Sequence, residues 1–524
     1  DPDNPVRIAS SGLPKALPNR WRIEIRNGNE AYIRVVLSLL FFYKGTTGDS
    51  GPLDLSPITD PPSKPDVDVP ALLIGAVPWL EKVVKPIIKE SRVGRAHDHD
   101  LIDLQPDSQS LWDKEFTPSP PTLSSGPNGS YGGLAILADC RAWSEAPKHL
   151  YNTMFHYFTS FLHSRVEKEV KTLMETFTDC KKALSEFPTS FLGKLSIKQE
   201  PAGKVRVFAI VDQFTQWTLA PLHKLLFKVL RSLPYDSTFD HSAGVKRIQE
   251  LPGQYRLSLD LKSATDRIPI SIYKFVFGEL IHPTFADKWA TLLVDREYHY
   301  VPPDRNPKRR HKKKHKKELT LNPSTSDDSH VIVKYGTGQP MGALSSWAAL
   351  ALVHHCLVQA AAHRCKIGYF GDYCVLGDDI VIANELVGKS YVTLLEELGI
   401  PFSPAKSFES HTGFFEFASQ IANSTSNFSP VSLSEVISAK SVPQRIELSL
   451  RTLTRWFPDK RDALTPLKLC LSETQYKNLS LREFPDRMIY DPHSRVLLTH
   501  LLAPDSAFNQ LCLSDYEEDK HDWL

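Results

Sequence analysis

No two of the seven cysteines stand close enough in sequence to suggest a zinc pair; they fall singly at positions 140, 180, 356, 365, 374, 470 and 512. An odd set without pattern excludes a disulfide framework and reads as reduced thiols. Long apolar runs are also missing. The longest near the start, Val35 to Tyr43, is interrupted by Ser38; it is far short of the roughly 20 residues that span a bilayer and reads as a buried helix segment. No internal repeat is present, which removes solenoids and propellers. The Gly-rich stretch Ser124 to Gly133 lacks the Gly-Lys-Ser/Thr ending of a phosphate loop, so no NTPase reading follows. An excess of one charge is absent as well: 62 Lys and Arg face 61 Asp and Glu, for a formal net charge of +1.

That balance conceals local asymmetry. Lys308 to Lys317 holds eight Lys or Arg in ten positions, whereas the last eleven residues carry Asp515, Glu517, Glu518, Asp519 and Asp522. Nucleic-acid binding depends on where positive charge is concentrated, so a near-neutral total does not exclude it. The 524 residues suffice for several subdomains. The 41% hydrophobic and 23% charged residues are those of a soluble globular chain, and 39 Pro imply many ordered loops. The first residue is Asp1, not Met, and a fragment or processed product is expected.

Gly51 to Val69 is rich in proline and reads as a surface loop; Ala71 to Ile88 is helical, and His97 to Pro127 is a polar linker. Helical spacing covers Leu134 to about Leu184, Trp217 to Leu233, Ile270 to Leu280 and Ser345 to Ala362. Strands are predicted at Val205 to Val211, Tyr255 to Leu259, Cys365 to Phe370 and Val375 to Ala383, where β-branched and apolar residues concentrate. Beyond about residue 430 the pattern is mainly helical.

Two segments carry the strongest chemical signal: Leu257-Ser-Leu-Asp-Leu-Lys-Ser-Ala-Thr-Asp-Arg267 and Val375-Leu-Gly-Asp-Asp-Ile-Val-Ile382. Each joins a short apolar strand to acidic groups. Nucleotidyl transfer uses two divalent cations about 4 Å apart, and carboxylates brought together from separate strands can hold them. Asp260 and Asp378 are the principal candidate ligands, with Asp379 auxiliary. By itself, Gly377-Asp-Asp379 is equally a solvated hairpin, since Gly and Asp are favoured in turns.

In their order these segments resemble the palm motifs of viral RNA-dependent RNA polymerases, and in detail those of the mitoviruses, with the resemblance running from Gly12-Leu-Pro-Lys15 to beyond residue 440. It implies that Asp260 is the first catalytic aspartate, that Asp266 helps recognise the ribose 2′-hydroxyl, and that Gly377, Asp378 and Asp379 form the metal-binding hairpin. Tyr335-Gly-Thr-Gly-Gln-Pro-Met-Gly-Ala-Leu-Ser-Ser-Trp347 resembles the Gly-rich second palm motif. There Gly338 lets backbone approach template and sugar, and Ser345 or Ser346 starts a helix and offers a hydroxyl. The helix lacks the Asn that many positive-strand polymerases pair with the ribose-sensing aspartate, leaving Ser346 and His354 as candidates. Lys204 and Arg206, with Lys198 as a third, match the fingers motif that grips the triphosphate. Lys406 matches the lysine near the leaving pyrophosphate, where it acts as general acid or electrostatic support. Phe414-Phe-Glu-Phe417 is similar to the turn joining palm to thumb, and Gly126-Pro-Asn-Gly129 to a turn in the fingers where template arrives.

The resemblance implies an α+β right-hand polymerase with a small antiparallel palm sheet and largely helical surroundings. Residues 1–255 would supply the N-terminal region and fingers, 256–283 the first palm motif, 284–334 a fingers insertion with the basic loop, 335–430 the rest of the palm, and 431–524 a helical thumb. The implied cofactor is magnesium, with manganese as a substitute. The implied partners are an RNA template, its product strand and ribonucleoside triphosphates, with no membrane span and no obligate protein partner, in a host mitochondrion. Three alternatives stay open: a reverse transcriptase, a non-catalytic RNA-binding protein using the Lys308 to Lys317 run, and an inactive or truncated endogenised copy.

Overall fold

Short β-branched stretches in the middle of the chain become strands, and the longer apolar periodicities between them become helices. A computed structural model describes residues 7–10, 12–41, 51–93, 126–129, 132–161, 190–200, 203–301 and 330–440, with isolated positions at 172, 175, 444, 448, 451 and 452. The Lys308 to Lys317 run, most of the expected thumb and the acidic tail lie outside the described residues. The chain divides into two units, one of residues 1–50, 201–204 and 414–524, the other of residues 51–200 and 205–413.

Among the described residues the larger unit holds eight strands: β1 (Gly193–Gln199), β2 (Val205–Val211), β3 (Arg256–Asp260), β4 (Tyr298–Tyr300), β5 (Val331–Val333), β6 (Tyr373–Leu376), β7 (Asp379–Ile382) and β8 (Phe408–Ser410). They form two four-stranded sheets, ordered β2-β1-β4-β5 and β6-β7-β3-β8. The second is antiparallel throughout, and in it Asp260 of β3 lies directly opposite Asp379 of β7. Its outer strand β6 is extended by Tyr235 to Ser237: Val375 N–H donates to the Tyr235 carbonyl and Ser237 N–H to that of Val375, at 2.9 Å each.

Behind this sheet runs the helix Ser346–Arg364, buried at every position from Ala348 to Ala362. Its Ala and Leu content favours helix, and an apolar surface on all sides suits a central position. It packs against helices Gln213–Ser232, Ile270–Leu280 and Glu385–Leu398. Its end explains why Cys365 to Phe370, predicted as a strand, is a turn. Lys366 adopts φ +62°, its N–H bonds the His363 carbonyl, and Ile367 N–H returns to Ala362. This left-handed stop consumes the residues a strand would need. Val375 to Ala383, strand-like by composition, contains the turn expected at Gly377-Asp-Asp379 and lies in the β6–β7 hairpin.

In the smaller unit, β9 (Phe415–Phe417) and β10 (Gln420–Ala422) make a hairpin whose linking residues Ala418 and Ser419 both take positive φ, the conformation that matches strand twist in a two-residue turn. Phe415 and Phe417 are buried. Arg34, on helix Glu30–Leu40, donates from Nε to the Asn427 carbonyl at 3.0 Å.

Candidate active site

The β6–β7 turn consists of Gly377 and Asp378, because Leu376 and Asp379 are already paired across the hairpin. Gly377 has φ +60°, a conformation that disfavours other residues, and a Cβ there would lie 3.1 Å from Trp347 Cζ2. The turn is tied to β3, since Leu261 N–H donates to the Asp378 carbonyl at 3.2 Å. Strand pairing and this bond gather Asp260, Asp378 and Asp379 at one end of the sheet.

Asp260 is held by the segment after helix Glu385–Leu398. Its carbonyl accepts from Ser403 N–H at 2.8 Å, its N–H donates to Ser407 Oγ at 3.3 Å, and its Oδ2 accepts from Lys406 Nζ at 2.8 Å. The Lys406 ammonium is held above its usual range, first by the bond to Asp260 and further by the charges of Asp260, Asp378 and Asp379. Asp378 is exposed at the turn, yet protein crowds its carboxyl. That desolvation raises its pKa, and the Asp260 charge adds to the rise, while Lys406 and Arg206 oppose it. Mutually repelling carboxylates at adjacent strand ends suit a hard divalent cation in donor chemistry. As the side chains stand, no group of three or more His, Cys, Asp or Glu is close enough to hold an ion among the described residues.

In the other sheet, Lys198 and Arg206 face each other across β1 and β2. Both are exposed, and Arg206 pairs with Glu200 at 3.0 Å. Lys204 precedes β2, which begins at Val205, and groups with the smaller unit; the strand face expected to be shared by Lys204 and Arg206 therefore does not form. Lys194, not singled out in the sequence, lies on the face of Lys198 because strand side chains alternate with period two. That spacing was its available signal.

Asp266 sits in the short helix Ala264–Arg267 and is buried, with no hydrogen-bond partner for its Oδ1 among the described residues. Burial pushes its carboxyl up to about 7, against a lowering by Arg267. Gly338 N–H donates to the Asp266 carbonyl at 2.9 Å, and a Cβ on Gly338 would lie 2.3 Å from the Thr265 oxygen. Here glycine is required by close backbone contact. Ser345 and Ser346 face inward: Ser345 Oγ accepts from Trp289 Nε1 at 3.1 Å, and Ser346 Oγ donates to the Pro340 carbonyl at 2.8 Å. His354 is engaged elsewhere too, bonding the Gly377 carbonyl and Tyr391. Adjacent histidines inside an Ala/Leu helix were the signal for that network, because buried polar groups need partners. Asn128 of the Gly126 to Gly129 turn is buried, donating to Asp139 at 2.7 Å and to the Phe191 carbonyl at 2.9 Å.

The family model described as mitovirus RNA-dependent RNA polymerase matches residues 109–500. The chain is 36% identical over 234 residues to the RNA-directed RNA polymerase of Cryphonectria parasitica mitovirus 1, a match covering 44% of this chain and 25% of that protein. It is 34% identical over 214 residues to an uncharacterized mitochondrial protein of Arabidopsis thaliana, covering 40% of this chain and 76% of the plant protein. A second such Arabidopsis protein is 34% identical over 181 residues, covering 34% of this chain and 76% of its own length. Crystal structures of the RNA-dependent RNA polymerase of a human picorbirnavirus align with TM-score 0.38; the loop-deletion form is 14% identical, covering 61% of this chain and 70% of that one.

Proposed function

Because the chain belongs to the mitovirus RNA-dependent RNA polymerase family, we propose that it catalyses template-directed nucleotidyl transfer from ribonucleoside triphosphates to an RNA 3′-end, releasing pyrophosphate. The observation that carries this reading is the pairing of Asp260 with Asp379 across β3 and β7, with Asp378 on the adjoining turn and Lys406 bonded to Asp260. The fingers, palm and thumb layout is part of the same proposal, with the antiparallel β6-β7-β3-β8 sheet as palm.

Asp260, Asp378 and Asp379 would hold magnesium, which supplies Lewis-acid stabilisation of phosphate oxygens when bound. Lys406 neutralises Asp260 until substrate arrives; once the carboxylate is otherwise engaged, its ammonium is free to support the leaving group or protonate it. Lys198 and Arg206 offer two cations on one sheet face for the triphosphate, and Lys204 is a third candidate. Asp266 is retained as the ribose-sensing group, with Gly338 allowing its segment to pack against the Gly-rich loop. Ser345 and Ser346 act through that loop by fixing where the helix starts. The Lys308 to Lys317 run is proposed to contact RNA phosphates, and the mitochondrial setting rests on the relatives' names.

The deciding experiment is incorporation of labelled ribonucleotides on an RNA template with magnesium, beside Asp378→Ala. Product from the unmodified chain alone supports the reading; equal product from both sinks the metal assignment. Deoxyribonucleotide preference would favour a reverse transcriptase, and RNA binding without synthesis an inactive copy.

A further inference from the structure

Asp378 has its carboxylate direction set by the two peptide planes that flank its Cα. The plane that follows it is fixed by Leu261 N–H, which bonds the Asp378 carbonyl at 3.2 Å. The plane that precedes it carries the Gly377 carbonyl, and that oxygen lies 2.7 Å from His354 Nδ1. A carbonyl only accepts, so Nδ1 carries the hydrogen. The other ring nitrogen, Nε2, then accepts, and the Tyr391 hydroxyl stands 2.6 Å away to donate. The Gly377 carbonyl thereby selects the tautomer in which His354 donates to the turn, and the Tyr391 hydroxyl, donating to Nε2, holds the ring in that orientation. Both side chains have no solvent exposure, so water cannot replace either bond.

The placement follows from helix geometry. His354 lies seven residues after Trp347 on the helix Ser346–Arg364, two turns along the same face. Trp347 packs beneath the Gly377 Cα while His354 takes its carbonyl, so one helix face grips the turn at two points. Burial also depresses the imidazole pKa to about 4, with the neighbouring His355 contributing; the ring is neutral, and its Nδ1 hydrogen persists, throughout the neutral range.

We propose that His354, its ring held in place by Tyr391, is a positioning residue that orients the Gly377–Asp378 peptide and so aims the Asp378 carboxylate. It touches neither substrate nor metal. The proposal rests on the polymerase reading for its catalytic consequence, but its physical content, the aim of a carboxylate, is measurable without turnover.

The test compares His354→Asn, whose amide nitrogen occupies the Nδ1 position, with His354→Gln, whose amide reaches only towards the Nε2 position. Both are polar and near in size, so general loss of packing affects them alike. Two readouts are taken on the full chain: steady-state ribonucleotide incorporation, and manganese(II) affinity by electron paramagnetic resonance without RNA. His354→Gln should lower kcat by about 10- to 100-fold, the scale of a misplaced reacting group, with nucleotide KM little changed, and should weaken manganese binding by roughly tenfold, or about 1.4 kcal/mol. His354→Asn should retain most of both. Tyr391→Phe, which keeps the ring and removes the donor, should fall between them and supplies the comparison if His354→Gln does not fold. Equal behaviour of the Asn and Gln variants, or unchanged manganese affinity and kcat in both Gln and Phe variants, overturns the positioning role. A wild-type chain that makes no product, while the Asn and Gln variants still differ in manganese affinity, overturns the polymerase reading and leaves the positioning role standing.

Discussion

Asp260 is fastened through its carbonyl, its N–H and its carboxylate to Ser403, Ser407 and Lys406, all from one short segment. Removing its carboxylate, or that of Asp378, is expected to reduce incorporation to background while leaving RNA affinity within about twofold, since phosphate contacts and not these acids supply binding; filter binding beside the synthesis assay checks both. Lys406→Ala should lower kcat by roughly 100-fold if the ammonium acts on the leaving group, with Lys406→Arg recovering part of it. Asp266 offers a pH test. Its folded carboxyl titrates near 7, well above the ordinary value of 3.8, so the native state binds the proton more tightly than the unfolded chain does. Its contribution is fully present below about pH 4 and is lost as pH rises towards 7. Asp266→Asn should therefore gain stability relative to wild type across that interval and level off above it, measured by urea unfolding at several pH values. An unchanged difference between pH 4 and 8 would refute the buried-acid account. Asp260, Asp378 and Asp379 were singled out in the sequence by their place at the ends of short apolar strands together with the order of the surrounding motifs. The inward turn of Ser345 and Ser346 was not, because hydroxyls suit a core bond as well as a ligand.

The elements that matter are the hairpin β6–β7, strand β3 and the loop that leads into helix Ser346–Arg364. Gly338 belongs to that loop and has no room for a methyl group against Thr265 and Asp266. Gly338→Ala is expected to cost about 1–3 kcal/mol by overpacking against backbone that cannot move aside, visible as a lower urea midpoint at unchanged slope. Sequence gave Val205–Val211 and Ile270–Leu280 to the residue, since each has a strong period and clear flanks. It lost Cys365 to Phe370, where apolar composition suggested a strand but the helix stop at Lys366 left no extended backbone. It also missed strands such as β4 and β5, only three residues each, which exist by pairing with β1 and with each other and carry too few residues to show a period.

At the scale of the larger unit, a buried network joins helices Gly132–Ser144 and Gln213–Ser232 to Arg296, just before β4, and to the residues that lead into β1. Asp212 caps the second helix through Thr215 N–H, accepts from Trp143 Nε1 at 2.8 Å, and pairs with Arg296 at 2.9 Å, both charges fully buried. Asp139, pushed above the carboxylate range by burial and by the Asp212 charge, bonds Asn128 and Gln213 N–H. Arg296→Met should destabilise by about 3–5 kcal/mol because it strands Asp212 without its counter-charge; recovery in Arg296→Met with Asp212→Asn, read in the same unfolding assay, would establish that cause. Asn128 stands in the Gly126 to Gly129 turn singled out in the sequence, but Asp139, Trp143 and Arg296 did not announce themselves, because each is far in sequence from the partners it meets. The sequence by itself determined which residue types stand at which spacing: apolar strands ending in acids, a glycine loop, a basic segment, and hence the resemblance to the family. Only the tertiary structure decided that Asp260 faces Asp379, that Lys406 reaches Asp260 and that His354 meets Gly377, because such contacts depend on register and helix facing across long stretches of chain, which local periodicity does not encode.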